Sequence, residues 1–154
     1  MTMRALDLTK EYPRSPYATV AGIPWLPRLL DKVRALNAGT LGEYTPFPCG
    51  GDRGFLKAMG IEPEALKPVI DRGASDEEVA DWVKAHAPAG WEARLDDYRK
   101  QAVQPVTGER AEYLKQAIAR TAEACPGKDF SQVKNFNELI CVEEGHPVPT
   151  HGIA

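Results

Sequence analysis

The sequence has no dense block of basic residues. Lys and Arg number 19 against 22 Asp and Glu, and the formal net charge is −3. The densest basic stretch, Arg28 to Arg34, contains Asp31. Because nucleic-acid binding depends on clustered positive charge, we expect no nucleic-acid partner.

Long apolar runs and a disulfide pattern are also absent from the sequence. No apolar run approaches the roughly 18 residues of a membrane span, so we expect no membrane association. The first residues, MTMRALDLTKEYPRSP, lack the apolar centre of a signal peptide. The three cysteines, Cys49, Cys125 and Cys141, form no Cys-x-x-Cys pair, and their odd number argues against a disulfide framework. These features predict a soluble, cytoplasmic protein with reduced thiols.

The hydrophobic pattern predicts an all-α fold. No segment alternates with period two for long enough to indicate a strand, whereas several segments repeat apolar residues at helical spacing. We expect a compact single domain, 1–154, built as a bundle of about six or seven short helices with Pro- and Gly-rich loops. Residues 1–23 are predicted to form an extended N-terminal arm, and residues 145–154 a loose C-terminal tail.

The first helix is predicted over residues 24–36, with one apolar stripe. Later helices are predicted over 52–59, 75–86, 91–101 and 108–124. Another helix is predicted to begin at Pro63 and to kink or split at Pro68. A last helix is predicted after Asp129 or Gln132. Predicted N-caps are Asp52, Ser75 in a capping box with Glu78, Thr107, and Asp129 or Gln132.

The polar face of the first helix carries Arg28, Asp31, Lys32 and Arg34. Arg28 and Lys32 are four residues apart and could together hold an acidic ligand. Alternatively, the face is solvated and Asp31 pairs internally with Arg28 or Arg34.

A second candidate lies in the stretch PFPCGGDRGFL, residues 46–56. Cys49 precedes a helix start and Arg53 follows it, and both the helix dipole and a cation favour a thiolate. Gly50 and Gly51 could present backbone N–H groups to an anion. The alternative is a turn into a helix, in which Cys49 is simply a packed apolar residue.

Metal and cofactor sites are not expected. Cys141, His146 and His151 are zinc-ligand types, but their spacing is not that of a zinc finger. His86 lies near a predicted helix end, where it complements the helix dipole.

Several segments of the chain are similar to one known family. WLPRLLDKVRA (25–35), GTLGEY (39–44), FPC (47–49) and DRGFL (52–56) resemble the bacterial domain-of-unknown-function family 5069. DLTK (7–10), PRSP (13–16), ELI (138–140) and EEG (143–145) resemble it as well. The resemblance implies a small, soluble, mostly helical protein. It brings no established reaction and no catalytic residues, and the Gly50–Gly51 pair is less typical of the family.

Two functional hypotheses follow. In the first, an acidic small molecule binds, with or without catalysis, between helix 24–36 and loop 39–55. Arg28 and Lys32 would hold the acid, and Asp31 would orient Arg28 or accept a proton, while Tyr44, Cys49 and Arg53 would close the pocket. In the second, the protein is a non-enzymatic module for protein interaction or self-association. Whether the protein is an enzyme is left open.

Overall fold

The computed structural model describes residues 5–149, and this part of the chain contains seven α-helices. They are α1 (Leu26–Ala38), α2 (Gly50–Met59), α3 (Pro63–Asp71), α4 (Asp76–His86), α5 (Trp91–Ala102), α6 (Glu109–Ala124) and α7 (Phe136–Glu144). The predicted mostly helical fold is confirmed. A small antiparallel hairpin, β1 (Thr19–Val20) with β2 (Ile23–Pro24), precedes α1. Its strands are too short to give the period-two pattern by which strands are predicted.

The main core forms around the apolar stripe of α1. Leu26, Leu29, Leu30 and Val33 are all fully buried. They share one cluster with apolar residues of the hairpin, α2, α3, α4 and α5. A smaller cluster around Leu114, Phe130 and Leu139 joins α6 to α7. Since burying one such side chain contributes about 1.5–3 kcal/mol, the α1 stripe organises most of the fold.

Helix α2 begins earlier than predicted, and Asp52 is not its N-cap. Cys49 occupies that position: its Sγ accepts the Asp52 N–H at 3.5 Å, and Asp52 Oδ2 accepts the Cys49 N–H at 3.0 Å. This reciprocal pair has the geometry of a capping box, with sulfur in place of the usual hydroxyl oxygen. The predicted Ser75–Glu78 capping box of α4 is confirmed.

Two other predicted caps are wrong. Gly108, with φ +63°, precedes α6 in place of Thr107. Asn135 caps α7, since its Oδ1 accepts the Glu138 N–H at 2.8 Å. Asp129 instead closes a local turn by accepting the Ser131 N–H at 2.9 Å.

Helices α1 and α3 also differ from the sequence predictions. Helix α3 is not split at Pro68, where a proline removes only one backbone donor. Helix α1 starts two residues later than predicted because Pro24 belongs to β2 and Trp25 precedes the first turn.

The segment before α1 lies against the helices. Leu8 and Tyr17 are buried, the Leu8 N–H donates to Thr40 O at 2.8 Å, and the Tyr17 hydroxyl donates to Ala102 O at 2.9 Å. At the other end, His146 Nε2 lies 3.1 Å from Pro13 O. Residues 150–154 of the predicted tail, which include His151, lie outside the described residues.

Trp25 fixes the contact between α1 and α2. Its φ is +70°, a backbone region that bulky residues rarely adopt. The indole Nε1–H donates to Asp52 Oδ1 at 2.9 Å, and the ring lies against Gly51. A Cβ at Gly51 would lie only 2.3 Å from the Trp25 ring. Position 51 therefore requires glycine for close approach rather than for backbone freedom.

We predict that Gly51→Ala destabilises the protein by about 1–3 kcal/mol, because the added methyl group would displace the Trp25 ring. The measurement is urea denaturation. Gly54→Ala in the same helix is the matched control, since a Cβ at Gly54 meets no atom within 4 Å. Alanine favours helix by up to about 1 kcal/mol, so the control should be neutral or stabilising. Equal effects of the two substitutions would contradict the packing role of Gly51.

Candidate functional site

The polar face of α1 is buried rather than solvated. Arg28, Asp31 and Lys32 are only 4%, 6% and 4% exposed. The predicted pairing of Asp31 with Arg28 or Arg34 is wrong, because the partners come from other segments of the chain. A buried charge without a partner is strongly unfavourable, so this face depends on those segments.

Arg28 forms a two-pronged ion pair with Glu144 at the end of α7. Its Nη1 and Nη2 donate to Glu144 Oε1 and Oε2 at 2.9 and 2.8 Å. The Tyr44 hydroxyl donates to Oε2 at 2.9 Å, and His146 Nε2 lies 3.0 Å from Oε1. Burial, and then the charge of Glu144, raise the pKa of the Tyr44 phenol. The Arg28 Nε–H is buried away from solvent and has no acceptor among residues 5–149.

Lys32 lies between a thiol and a carboxylate at the start of α2. Its Nζ is 2.9 Å from Cys49 Sγ and 3.6 Å from Asp52 Oδ2. The Asp52 side chain is fully buried and also accepts the Trp25 indole N–H. Cys49 Sγ thus faces two N–H donors, the Lys32 ammonium and the Asp52 backbone.

A third group connects Asp31 to the start of α4. Arg14 donates through Nη2 to Asp31 Oδ1 at 3.0 Å and through Nη1 to Asp76 Oδ2 at 2.8 Å. Arg34 Nη1 donates to Asp76 Oδ1 at 2.7 Å. Burial alone would raise the pKa of Asp76, but the hydrogen bonds from Arg14 and Arg34 outweigh it and lower that pKa.

These contacts form a charge network that is balanced in sign. It contains four cations, Arg14, Arg28, Lys32 and Arg34, and four carboxylates, Asp31, Asp52, Asp76 and Glu144. We call these eight side chains the charge network.

A cavity of about 610 Å³ borders one side of the charge network. Arg28, Lys32 and Cys49 line it, together with Arg110 from the first turn of α6. No Asp or Glu is among its lining residues in the described part of the chain. Its walls are otherwise largely aromatic or apolar, formed by Trp25, Phe55, Tyr98, Tyr113, Phe136 and Ile140. The cavity therefore combines cations, a thiol and an apolar surface.

The start of α2 also borders the cavity through Gly50 and Gly51. These residues occupy the first two positions of the helix, whose N–H groups have no carbonyl partner within a helix. No loop carbonyl among residues 5–149 accepts from them either. Two backbone donors at the positive end of the helix dipole are thus available at this wall.

Three of the six predicted ligand-binding residues line this one cavity: Arg28, Lys32 and Cys49. The other three do not line it. Asp31 contacts Arg14 instead of Arg28, Tyr44 contacts Glu144, and Arg53 is exposed on α2. Sequence reasoning also missed Arg110, which reaches the cavity only because α6 and α2 border the same space. No local pattern around Arg110 indicates this contact.

The described residues thus define a mostly α-helical protein in which a cation-lined cavity lies beside a largely buried charge network. The chain belongs to the family described as Domain of unknown function (DUF5069), whose family model matches residues 10–146. The resemblance found in the sequence is thereby confirmed. A search of curated proteins found no match. Among the helices of residues 5–149, none is long and apolar enough to span a membrane.

We predict that Glu144→Gln destabilises the protein by about 3–5 kcal/mol, since it leaves Arg28 buried without its counter-charge. The free energy of unfolding in urea measures this change. Asp96→Asn is the control, because the Asp96–Lys100 pair is 3.7 Å long and both side chains are mostly exposed. Removing such a surface pair costs less than about 1 kcal/mol. A small effect of Glu144→Gln would contradict a buried, structurally required pair.

We further predict that Asp76 contributes to stability in a pH-dependent way. Because the pKa of Asp76 is lowered in the folded state, its ionised form stabilises the fold above the unfolded pKa of about 3.9. That contribution disappears as the pH falls further, through the folded pKa. Asp76→Asn should therefore be less stable than wild type at pH 7, and the difference should shrink below about pH 4. Unfolding free energies at both pH values test this, and a constant difference would contradict it.

Proposed function

We propose that the protein binds a small acidic molecule in the cavity lined by Arg28, Lys32 and Arg110. The observation that carries the proposal is the charge of the lining residues. Three cations and no carboxylate line this space in the described part of the chain. Such a surface attracts an anion and disfavours a cation.

The attraction comes mainly from groups that have no counter-charge of their own. Glu144 and Asp52 pair with Arg28 and Lys32 from positions outside the cavity lining. Arg110, in contrast, is exposed and forms no ion pair with the described residues; its guanidinium carbon lies 5.6 Å from the centre of the Phe136 ring. The backbone N–H groups of Gly50 and Gly51 add donors. Together these groups support a carboxylate or a phosphate as the bound group.

The aromatic walls support an apolar body attached to that acidic group. Phe55 and Tyr98 pack edge to face with ring centres 5.7 Å apart, and Phe136 faces Arg110. A volume of about 610 Å³ is within the range of small-molecule sites. A second cavity of about 740 Å³ shares Tyr98, Arg110 and Phe136, so a longer ligand could extend beside α5.

The proposed site lies on the α2, α5 and α6 side of Arg28 and Lys32. In this proposal Tyr44 binds Glu144 and Asp31 binds Arg14, so neither of them contacts the ligand, and Arg53 does not contact it either. The three free cysteines support a reducing, cytoplasmic location.

The test uses phenyl phosphate and phenylacetate as acidic probes and phenylacetamide as the neutral probe. We expect the acids, but not the amide, to raise the unfolding temperature, since a ligand at 100 times its Kd adds about 2.7 kcal/mol. Calorimetry should then show that Arg110→Gln weakens acid binding at least about threefold, or ~0.6 kcal/mol. Arg120→Gln is the matched control, because Arg120 is also exposed on α6 but does not line the cavity.

Two outcomes would overturn the proposal. Equal binding of the amide and the acids would remove the role of charge, and equal weakening by Arg120→Gln would place binding elsewhere. If no acidic probe binds at millimolar concentration, the interaction or self-association hypothesis becomes the better one. A molar mass that rises with protein concentration in sedimentation would then support self-association.

A further inference from the structure

We propose that the ligand of this site is an acidic peptide with a free C-terminal carboxylate. Its last residue, large and apolar, occupies the cavity of about 610 Å³ beside the charge network. The residues before it extend along the second cavity, of about 740 Å³. The class of ligand rests on the proposed function above, because it assumes that the first cavity binds an acid.

The two cavities adjoin and together form one groove. Five residues line both of them: Gly54, Tyr98, Arg110, Phe136 and Asn137. These residues belong to α2, α5, α6 and α7, so each of the four helices borders both cavities. A ligand longer than the first cavity can therefore continue into the second one.

Positive charge is concentrated in this groove. Its lining contains five of the 19 Lys and Arg residues but only one of the 22 Asp and Glu residues: Arg28, Lys32, Lys57, Arg94 and Arg110 against Asp97. The whole chain has a net charge of −3, so the excess is local. Glu144 and Asp52 pair with the two cations of α1, whereas Lys57, Arg94 and Arg110 are exposed. The attraction for anions thus extends into the second cavity.

The first cavity fits the C-terminal residue of a peptide. In such a residue the carboxylate and the side chain are attached to one carbon atom, so a site must bind an acid and an apolar group side by side. Lys32, Arg110 and the first N–H groups of α2 face the same space as Trp25 and Phe55. Backbone N–H groups are a recurring means of binding C-terminal carboxylates.

The second cavity fits the peptide groups that precede this residue. Gln101, Gln104 and Asn137 line it with amide side chains, each of which offers donors and an acceptor. A peptide group needs both, an acceptor for its N–H and a donor for its C=O. Arg94 is held beside this cavity, since its Nη2 donates to Lys57 O at 2.8 Å. These two cations are placed to bind an acidic side chain of the peptide.

The test measures Kd values by calorimetry. The main probe is acetyl-Asp-Gly-Phe or acetyl-Asp-Gly-Gly-Phe, whichever binds more tightly. We expect it to bind at least about tenfold more tightly than 3-phenylpropanoate, which has the acid and the ring but no peptide group. Replacing the Asp of the probe by Asn should weaken binding at least about threefold, and amidating its C-terminus at least about tenfold.

A pair of variants tests where the peptide lies. Lys57→Gln removes a cation of the second cavity, and Arg53→Gln is the matched control, because Arg53 is exposed on the same helix but lines neither cavity. Lys57→Gln should weaken binding of the Asp peptide at least about threefold and leave that of the Asn peptide and of 3-phenylpropanoate unchanged. Arg53→Gln should change none of them. Both side chains are exposed, so both variants should fold.

The results separate this inference from the proposed acid site. If 3-phenylpropanoate binds as tightly as the peptide acids, or if Lys57→Gln acts no differently from Arg53→Gln, the peptide is overturned and the acid site stands. If the amidated peptide binds as tightly as the acid, or if no free acid binds, both fail. A ten-nucleotide oligothymidylate that displaces the peptide at lower concentration would assign the groove to nucleic acid and overturn the peptide.

Discussion

The fold depends on the burial of the charged face of α1. An isolated ion in a protein interior is several kcal/mol less stable than in water, and only a close counter-ion with good hydrogen bonds offsets this. Every charge on that face therefore needs a partner from elsewhere in the chain. Arg14, Asp52, Asp76 and Glu144 supply the partners, from the arm, α2, α4 and α7. The Arg28–Glu144 pair alone joins positions 116 residues apart.

The same pairs decide what the cavity can offer to a ligand. Glu144 accepts from both terminal nitrogens of Arg28, and Nη1 also donates to Arg14 O at 3.2 Å. The Asp52 carboxylate keeps the Lys32 ammonium next to Cys49 Sγ, which restricts the rotamers of the Lys32 side chain. A lysine and an arginine on a solvated helix would have many rotamers, whereas here their positions are fixed before any ligand arrives. Such preorganisation is what binding and catalytic sites require.

Much of this arrangement could be predicted from the sequence, up to a clear limit. The apolar stripe of α1 and the Ser75 capping box follow local rules of spacing and hydrogen bonding, and both are present. The partners of the polar face do not follow such rules. A helical pattern shows that a face is polar, but it cannot distinguish water from a layer of matched charges. Arg14 and Glu144 carry no local signal that they meet α1.

Two features of the site could not be predicted from the sequence, for different reasons. Cys49 is an unusual N-cap, because N-caps are normally Ser, Thr, Asp or Asn. Asp52, three residues later, is one of these usual residue types, so local rules favour Asp52 as the cap. Arg110 depends on how α6 docks, which is set by a separate apolar cluster around Leu114 and Phe130. Sequence reasoning therefore identified Arg28, Lys32 and Cys49, which lie on α1 or next to α2. It did not identify Arg110, the cation that α6 contributes to the cavity.

The two halves of the charge network call for different explanations. Buried ion pairs often stabilise a protein no more than apolar residues of similar volume would, so stability alone does not explain eight charges. Arg14, Asp31, Arg34 and Asp76 do not line the cavity, and their contacts align the arm with α1 and α4. Arg28 and Lys32 do line it. An apolar replacement there would keep the packing but remove two of the three cations that line the cavity. The charges at the cavity are therefore best understood through the proposed acidic ligand, and the remaining charges through the alignment of segments.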